Sequence, residues 1–143
     1  MNKIMENRIK LEFVNKSCNE NLARMVAAAF VMPLDPTCEE LSEIKTAISE
    51  AVTNAIIHGY EDSVGKVCME GKIDGNTVEF KITDKGCGIP DISKAMEPLY
   101  TGKPELERSG LGFTIMESFM DKIEVTSTPG VGTSVTMKKV IKK

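Results

Sequence analysis

The 143-residue chain has no tryptophan, a single histidine and only four cysteines. The cysteines stand far apart without a CxxC pair, so the residues suggest neither a zinc site nor a disulfide framework. No apolar run approaches the roughly 18 residues of a membrane-spanning helix, and no N-terminal stretch resembles a signal peptide. The sequence therefore predicts a soluble, cytoplasmic protein with four free thiols.

A strong charge of one sign is also missing. Eighteen basic residues stand against 21 acidic ones, for a net charge of -3, and both kinds are spread along the chain. This distribution does not predict a nucleic-acid binder, which normally has a basic patch or stripe. No segment rich in Pro, Gly or Ser divides the sequence, and its length is that of one ordinary domain. We therefore predict a single domain over residues 1–143.

The first part of the chain has the pattern of one strand and two helices. Apolar and polar residues alternate over residues 8–14, which predicts a strand with one face on a core. Residues 17–20 and 37–40 both fit capping boxes, so a helix should begin at each. The first helix should end near Val31, and the second, long and broadly apolar, should run to Gly59.

The second part has the pattern of two hairpins separated by a long loop and a short helix. Residues 67–73 and 78–82 alternate around an Asp-Gly-Asn turn, a strong hairpin signal that leaves Asp84 at a strand end. Residues 86–109 should be mostly irregular. The remaining predicted elements are a helix over 112–120 and a closing hairpin of 123–127 and 133–140.

These elements predict the fold class. The strands alternate between apolar and polar residues, whereas the second helix is apolar over a wide arc. Such strands suit a sheet with one covered and one solvated face. We therefore predict a two-layer α/β sandwich, with a mixed, mainly antiparallel sheet and the helices on one of its faces.

An acid and an amide stand one turn apart in the second helix. Glu50 and Asn54 are four residues apart, so they should face the same way. A charged Glu50 would be costly if buried without partners, so it either lines a cleft or lies on the helix's exposed outer face. Asn54 could offer its carbonyl oxygen to Mg²⁺, which prefers oxygen ligands. His58, about one turn further, is better suited to the helix C-terminal carbonyls than to a metal.

Two later loops combine a carboxylate with glycines. Asp84 is followed by Gly86 and Gly88, and Gly110 and Gly112 precede the third helix. A lone carboxylate suits an adenine base, and free backbone N–H groups at a helix start suit a phosphate, although each loop alone could be an ordinary turn. Neither fits the P-loop or Rossmann pattern. A nucleotide site of another fold is the leading hypothesis.

The order acid-x-x-x-Asn, Asp-x-Gly-x-Gly and Gly-x-Gly resembles the ATP-binding domain shared by gyrase, MutL and sensor histidine kinases. More closely, residues 49–60 (SEAVTNAIIHGY) and 103–117 (KPELERSGLGFTIME) resemble the sporulation anti-sigma F factors, and the likeness runs over about 9–140. The resemblance implies a homodimer that holds RNA polymerase sigma factor F. It also implies a kinase that uses ATP and Mg²⁺ to phosphorylate a serine of an anti-anti-sigma factor.

The same resemblance implies roles for individual residues. Glu50 would be the general base, and Asn54 would be the Mg²⁺ ligand. Asp84 would accept a hydrogen bond from the adenine amino group, while Gly86 and Gly88 would let the chain turn beneath the base.

The resemblance further implies a lid over residues 96–109. Because polar side chains of this segment can pair with phosphate oxygens and its irregular chain can move, we expect ATP to order it more than ADP does. Thr133 would lie near the adenine, and Arg24 would belong to the partner surface. Gly102 stands where the family leads us to expect Thr or Ser, so the lid has one hydroxyl fewer. The implied lid and phosphate cradle comprise Thr101, Lys103, Arg108, Ser109, Gly110 and Gly112.

Two other interpretations stay open beside the kinase. In the first, ATP serves only as a conformational ligand of a non-catalytic sigma-binding module. In the second, the chain is a detached histidine-kinase catalytic domain. The second is disfavoured because the only histidine, His58, lies inside the nucleotide motif.

Overall fold

A five-stranded sheet carries three α-helices on one face in the computed structural model, which describes residues 6–59, 64–86, 112–128 and 130–142. No helix formed by these residues is long and apolar enough to cross a membrane. The elements in chain order are β1 Glu6–Val14, α1 Cys18–Val31, a 3-10 turn Met32–Leu34, α2 Cys38–Asn54, a π-helical segment Ala55–Gly59, β2 Lys66–Asp74, β3 Thr77–Asp84, α3 Gly112–Phe119, β4 Lys122–Thr128 and β5 Gly132–Val140.

The strands lie in the order β1-β2-β3-β5-β4. Every pairing among the described strands is antiparallel, so the sheet is more regular than the mixed one predicted. The β2–β3 hairpin turns at Gly75, whose φ of 62° is the left-handed conformation that glycine adopts without strain. Because β5 pairs with β3, Asp84 lies opposite Thr133, which comes almost fifty residues later.

The core lies between the sheet and the helices. Phe30 of α1 meets Phe80 of β3 edge to face, with ring centroids 6.1 Å apart and an interplanar angle of 67°. Gly71 of β2 makes this approach possible, because a Cβ there would lie 2.9 Å from both Phe30 Cε2 and Ile9 Cγ1. The outward residues of the same strands are exposed or half-buried, which confirms the two-layer architecture.

Of the two predicted capping boxes, the one that begins at Thr37 is confirmed and the one that begins at Ser17 is wrong. Thr37 Oγ1 accepts from the Glu40 N–H at 3.0 Å, and Glu40 Oε1 accepts from the Thr37 N–H at 2.9 Å. Ser17 makes no such bond, and the carboxylate of Glu20 accepts instead from the Ser49 hydroxyl of α2. The capping box predicted at Ser17 does not form because Ser49, a tertiary partner, binds the Glu20 side chain instead. This bond joins α1 to α2.

The second helix reaches Gly59 as predicted, but its last turn is not α-helical. The α-helical geometry ends at Asn54, and residues 55–59 continue as a π-helical turn. At the junction, the Ala55 N–H is shared between the carbonyl oxygens of Ala51 and Val52. The sequence does not predict this wider turn, because the helical spacing of apolar residues continues without interruption through Ile56.

Candidate functional site

Asp84 is a buried carboxylate at the end of β3. Its relative exposure is 6%, and its Oδ1 accepts the Gly86 N–H at 2.9 Å. Burial raises the pKa of Asp84, and this effect outweighs the opposite effect of the backbone N–H groups of Gly86 and Thr133. The ionised form therefore destabilises the unliganded fold, which is typical of a group held ready for a ligand rather than for stability.

Gly132 brings β5 against the chain that follows Asp84. Its φ is 142°, and a Cβ there would lie 2.1 Å from the Asp84 carbonyl oxygen and 2.8 Å from Lys85 Cα. Any side chain at this position would push the two strands apart. Sequence reasoning selected Thr133 and missed Gly132, for which the only signal is a glycine at the start of a strand.

Thr133 lies on the helix-covered side of the sheet, opposite Asp84. The Thr133 and Ser127 hydroxyls lie 2.8 Å apart, and the Ser127 hydroxyl donates to the Gly132 carbonyl oxygen at 3.1 Å. These bonds attach the start of β5 to β4. The structure thus brings two predicted site residues, Asp84 and Thr133, together at one end of the sheet.

Glu50 and Asn54 share a half-buried face of α2. Both are neither fully exposed nor fully buried, whereas Ala51 and Val52 between them are buried in the core. Glu50 therefore does not lie on the fully exposed outer face, which was the alternative location. A half-buried carboxylate can meet both a bound ligand and a second, incoming substrate.

Asn54 is the last α-helical residue before the π-helical segment. Single π-turns inside helices occur frequently at functional sites, because the wider turn changes the direction of the side chains around it. This segment also contains His58, whose side chain is outside the description. The junction is a second feature of the site that sequence reasoning missed.

Several predicted site residues lie outside the described part of the chain, so their roles stay predictions. The lid of residues 96–109 lies there as a whole. Gly112 is described and begins α3, as predicted. The predicted residues outside the description are Gly88, Thr101, Lys103, Arg108, Ser109 and Gly110.

Arg24 lies half-buried on α1, a different helix from the one that carries Glu50 and Asn54. Its guanidinium Nη2 donates to the side-chain oxygen of Asn21, while its Nε is buried without a hydrogen-bond partner among the described residues. Apolar side chains on the same stretch are exposed, with 46% for Leu22, 55% for Met25 and 54% for Met32. Exposed apolar side chains on the same segment as a cation have the composition of a protein interface.

Known proteins resemble the chain over almost its whole length. A model of the histidine kinase-like ATPase domain matches residues 16–139. The anti-sigma F factor of Thermoanaerobacter sp. (strain X514) is 55% identical over 135 residues, which cover 94% of this chain and 94% of that protein. The anti-sigma F factor of Clostridium kluyveri is 56% identical over 135 residues, with coverage of 94% and 95%.

Among solved structures, the RsbU and RsbW domains of a Mycobacterium tuberculosis protein superpose with a TM-score of 0.68 at 17% identity. The match covers 94% of this chain and 32% of that one. At this identity the likeness shows the fold alone.

Proposed function

Since the chain belongs to the anti-sigma F factor family and has a histidine kinase-like ATPase domain, we propose that it is an Mg-ATP-dependent serine kinase and a sigma-holding homodimer. Its proposed substrate is a serine of an anti-anti-sigma factor, and its proposed target is RNA polymerase sigma factor F in the cytoplasm. The observation that carries the nucleotide part is the buried Asp84 carboxylate, opposite Thr133.

Asp84 fits the adenine of ATP. Its buried carboxylate can accept the amino N–H of the base, and a charge-assisted bond in a desolvated place is stronger than one in water. Gly132 keeps β5 close to Lys85 and free of a side chain. This end of the sheet therefore offers a carboxylate acceptor for the amino group of an adenine base.

The half-buried face of α2 fits the reacting end of the nucleotide. The side-chain carbonyl oxygen of Asn54 suits Mg²⁺, a hard cation that keeps several waters and binds few protein ligands. Mg-ATP, when bound, supplies the transferable phosphoryl group. Glu50 accepts the proton of the attacking serine hydroxyl, and general-base help of this kind contributes typically about a hundredfold to ten-thousandfold.

The exposed apolar side chains of α1 and of the 3-10 turn after it support the binding part of the proposal. Leu22, Met25 and Met32 are exposed on the segment that contains Arg24, and a sigma subunit would cover them. Holding a partner on this helix needs no phosphoryl transfer. A non-catalytic module switched by ATP is therefore the second candidate function.

Radiolabelled ATP separates the two candidates. We expect the protein, mixed with γ-labelled ATP, Mg²⁺ and the anti-anti-sigma factor, to transfer the label to one serine of that partner. A partner with this serine replaced by alanine is the control and should stay unlabelled. Nucleotide binding without any transfer to the intact partner would reject the kinase and leave the switched module.

Affinity for ATP should fall as the pH is lowered, because the adenine amino group donates to the ionised form of Asp84. The pKa of Asp84 lies above its ordinary value of 3.8 because burial disfavours the charge. The carboxylate is therefore neutralised at a higher pH than an exposed Asp, and binding weakens below that pH. Titrations of the wild type and Asp84→Asn at each pH measure the effect, since the ratio of affinities cancels the titration of the phosphates. A ratio independent of pH would contradict this assignment.

A further inference from the structure

Lys139 is a cation on the covered face of β5. It follows Val135 and Met137 at the alternating spacing of that strand and, like them, it is buried, with a relative exposure of 8%. Its ammonium Nζ donates to the Phe119 carbonyl oxygen at 2.7 Å and lies 3.2 Å from Glu43 Oε1. None of the roles proposed above uses this group.

The contacts of Lys139 join three elements that carry predicted site residues. Phe119 is the last residue of α3, the helix that begins at Gly112 of the proposed phosphate loop. Glu43 lies on α2, about two turns before Glu50. Lys139 itself is on β5, whose first residues include Thr133. One buried ammonium on β5 thus contacts both α2 and α3, and each of these three elements carries a predicted site residue.

Burying this cation needs a reason other than stability alone. A buried ion pair is often no more stable than apolar side chains of similar volume, because desolvation opposes the attraction. The hydrogen bond from Lys139 to the C-terminus of α3 has effects that an apolar side chain cannot provide. It satisfies a terminal carbonyl, complements the negative end of the helix dipole and sets the helix position.

We propose that Lys139 is a positioning residue that holds the C-terminus of α3 against α2 and thereby sets where the N-terminus of α3 meets the phosphates of the nucleotide. The inference rests on the proposed nucleotide function. An eight-residue helix is about 12 Å long and stiff, so a shift at Phe119 moves Gly112 as well. The Asp84 end of the site, on another strand, stays where it is.

Lys139→Met, which removes the ammonium and keeps most of the side-chain length, tests the proposal. We expect affinity for ATP to fall about tenfold, as for a lost bond to a charged group, while affinity for adenosine changes less than about twofold. Calorimetry or competition with a fluorescent nucleotide measures both. A residue needed only for stability would lower the melting temperature and leave the two affinities in their original ratio, and that result would overturn the proposal.

Glu43→Gln and Lys139→Arg are the matched variants. Glu43→Gln takes away the carboxylate that faces the buried Lys139 ammonium, so the melting temperature should fall. The bond from Lys139 to Phe119 remains, so the ATP affinity of the folded variant should stay within about twofold of the wild type. Lys139→Arg keeps a donor for the Phe119 carbonyl and should recover most of the affinity. An equal loss of ATP affinity in Glu43→Gln and Lys139→Met would assign the effect to the ion pair and reject the positioning of α3.

Amide exchange in the ligand-free protein separates this proposal from the proposed function. The N–H of Val140 donates to Asp121 Oδ2 at 2.7 Å, so the chain after α3 stays attached to β5 in Lys139→Met and the variant should fold. The amides of the last turn of α3 should then exchange several-fold faster than in the wild type. Unchanged exchange would overturn the anchor whether or not ATP binds. A wild type that binds no ATP would reject the proposed function, and the exchange result would still decide about Lys139.

Discussion

Glu50→Gln should lower the rate of serine phosphorylation by roughly a hundredfold to ten-thousandfold while ATP still binds. Glutamine keeps the size and the hydrogen-bonding capacity of Glu50 but cannot take a proton at neutral pH. Since the two side chains have nearly the same volume, the substitution at the half-buried Glu50 of α2 leaves the packing of the core unchanged. Single-turnover transfer of label to the anti-anti-sigma factor measures the rate, and calorimetry measures the binding of ATP.

Glu39→Gln is the matched control for this experiment. Glu39 is an exposed residue in the first turn of the same helix, so its variant makes the same chemical change far from the site. Its transfer rate should equal that of the wild type, and both variants should still hold sigma factor F. Normal transfer by Glu50→Gln would refute its role as the base. If Glu50→Gln fails to bind nucleotide, Glu50 contributes to the binding of ATP.

Asp84→Asn should weaken ATP binding by about tenfold to a hundredfold and leave the fold intact. A hydrogen bond to a charged group is worth about 1.5 to 3 kcal/mol, which converts to that range of affinity. Asparagine keeps an oxygen that can accept the Gly86 N–H, so the local turn survives. Calorimetric titration with ATP gives the affinity of both proteins.

Stability should change in the opposite direction in Asp84→Asn. The raised pKa means that the ionised carboxylate destabilises the unliganded fold above its folded-state pKa, and this penalty disappears at lower pH. The neutral amide removes the penalty, so the melting temperature of the unliganded variant at neutral pH should be unchanged or higher. Asp74→Asn, at the exposed end of β2, is the control and should alter neither quantity. An unaltered ATP affinity in Asp84→Asn would remove Asp84 from the site.

Much of the fold follows from local patterns in the sequence. Alternation along β1 and β3, the Asp-Gly-Asn turn and the Thr37 capping box each depend on residues within one turn or one hairpin. Local steric and hydrogen-bonding preferences therefore suffice to predict them. The position of Asp84 at a strand end follows from the same patterns, and the three nucleotide motifs point to the family that the comparisons then show.

The tertiary structure decides what depends on partners far apart in the chain. Glu20 binds the Ser49 hydroxyl of α2 and not the backbone at its predicted cap. Gly132 lies close to Asp84 only because β5 inserts between β3 and β4. Lys139 interrupts an apolar alternation, yet its bonds to Phe119 and Glu43 exist only once β5, α3 and α2 are packed together. Local steric and hydrogen-bonding preferences act over a few residues, so the order of residues along the chain is enough to decide which of them form each element. Packing determines which polar groups meet, because a buried charge or donor takes whichever partner the assembled layers bring within reach.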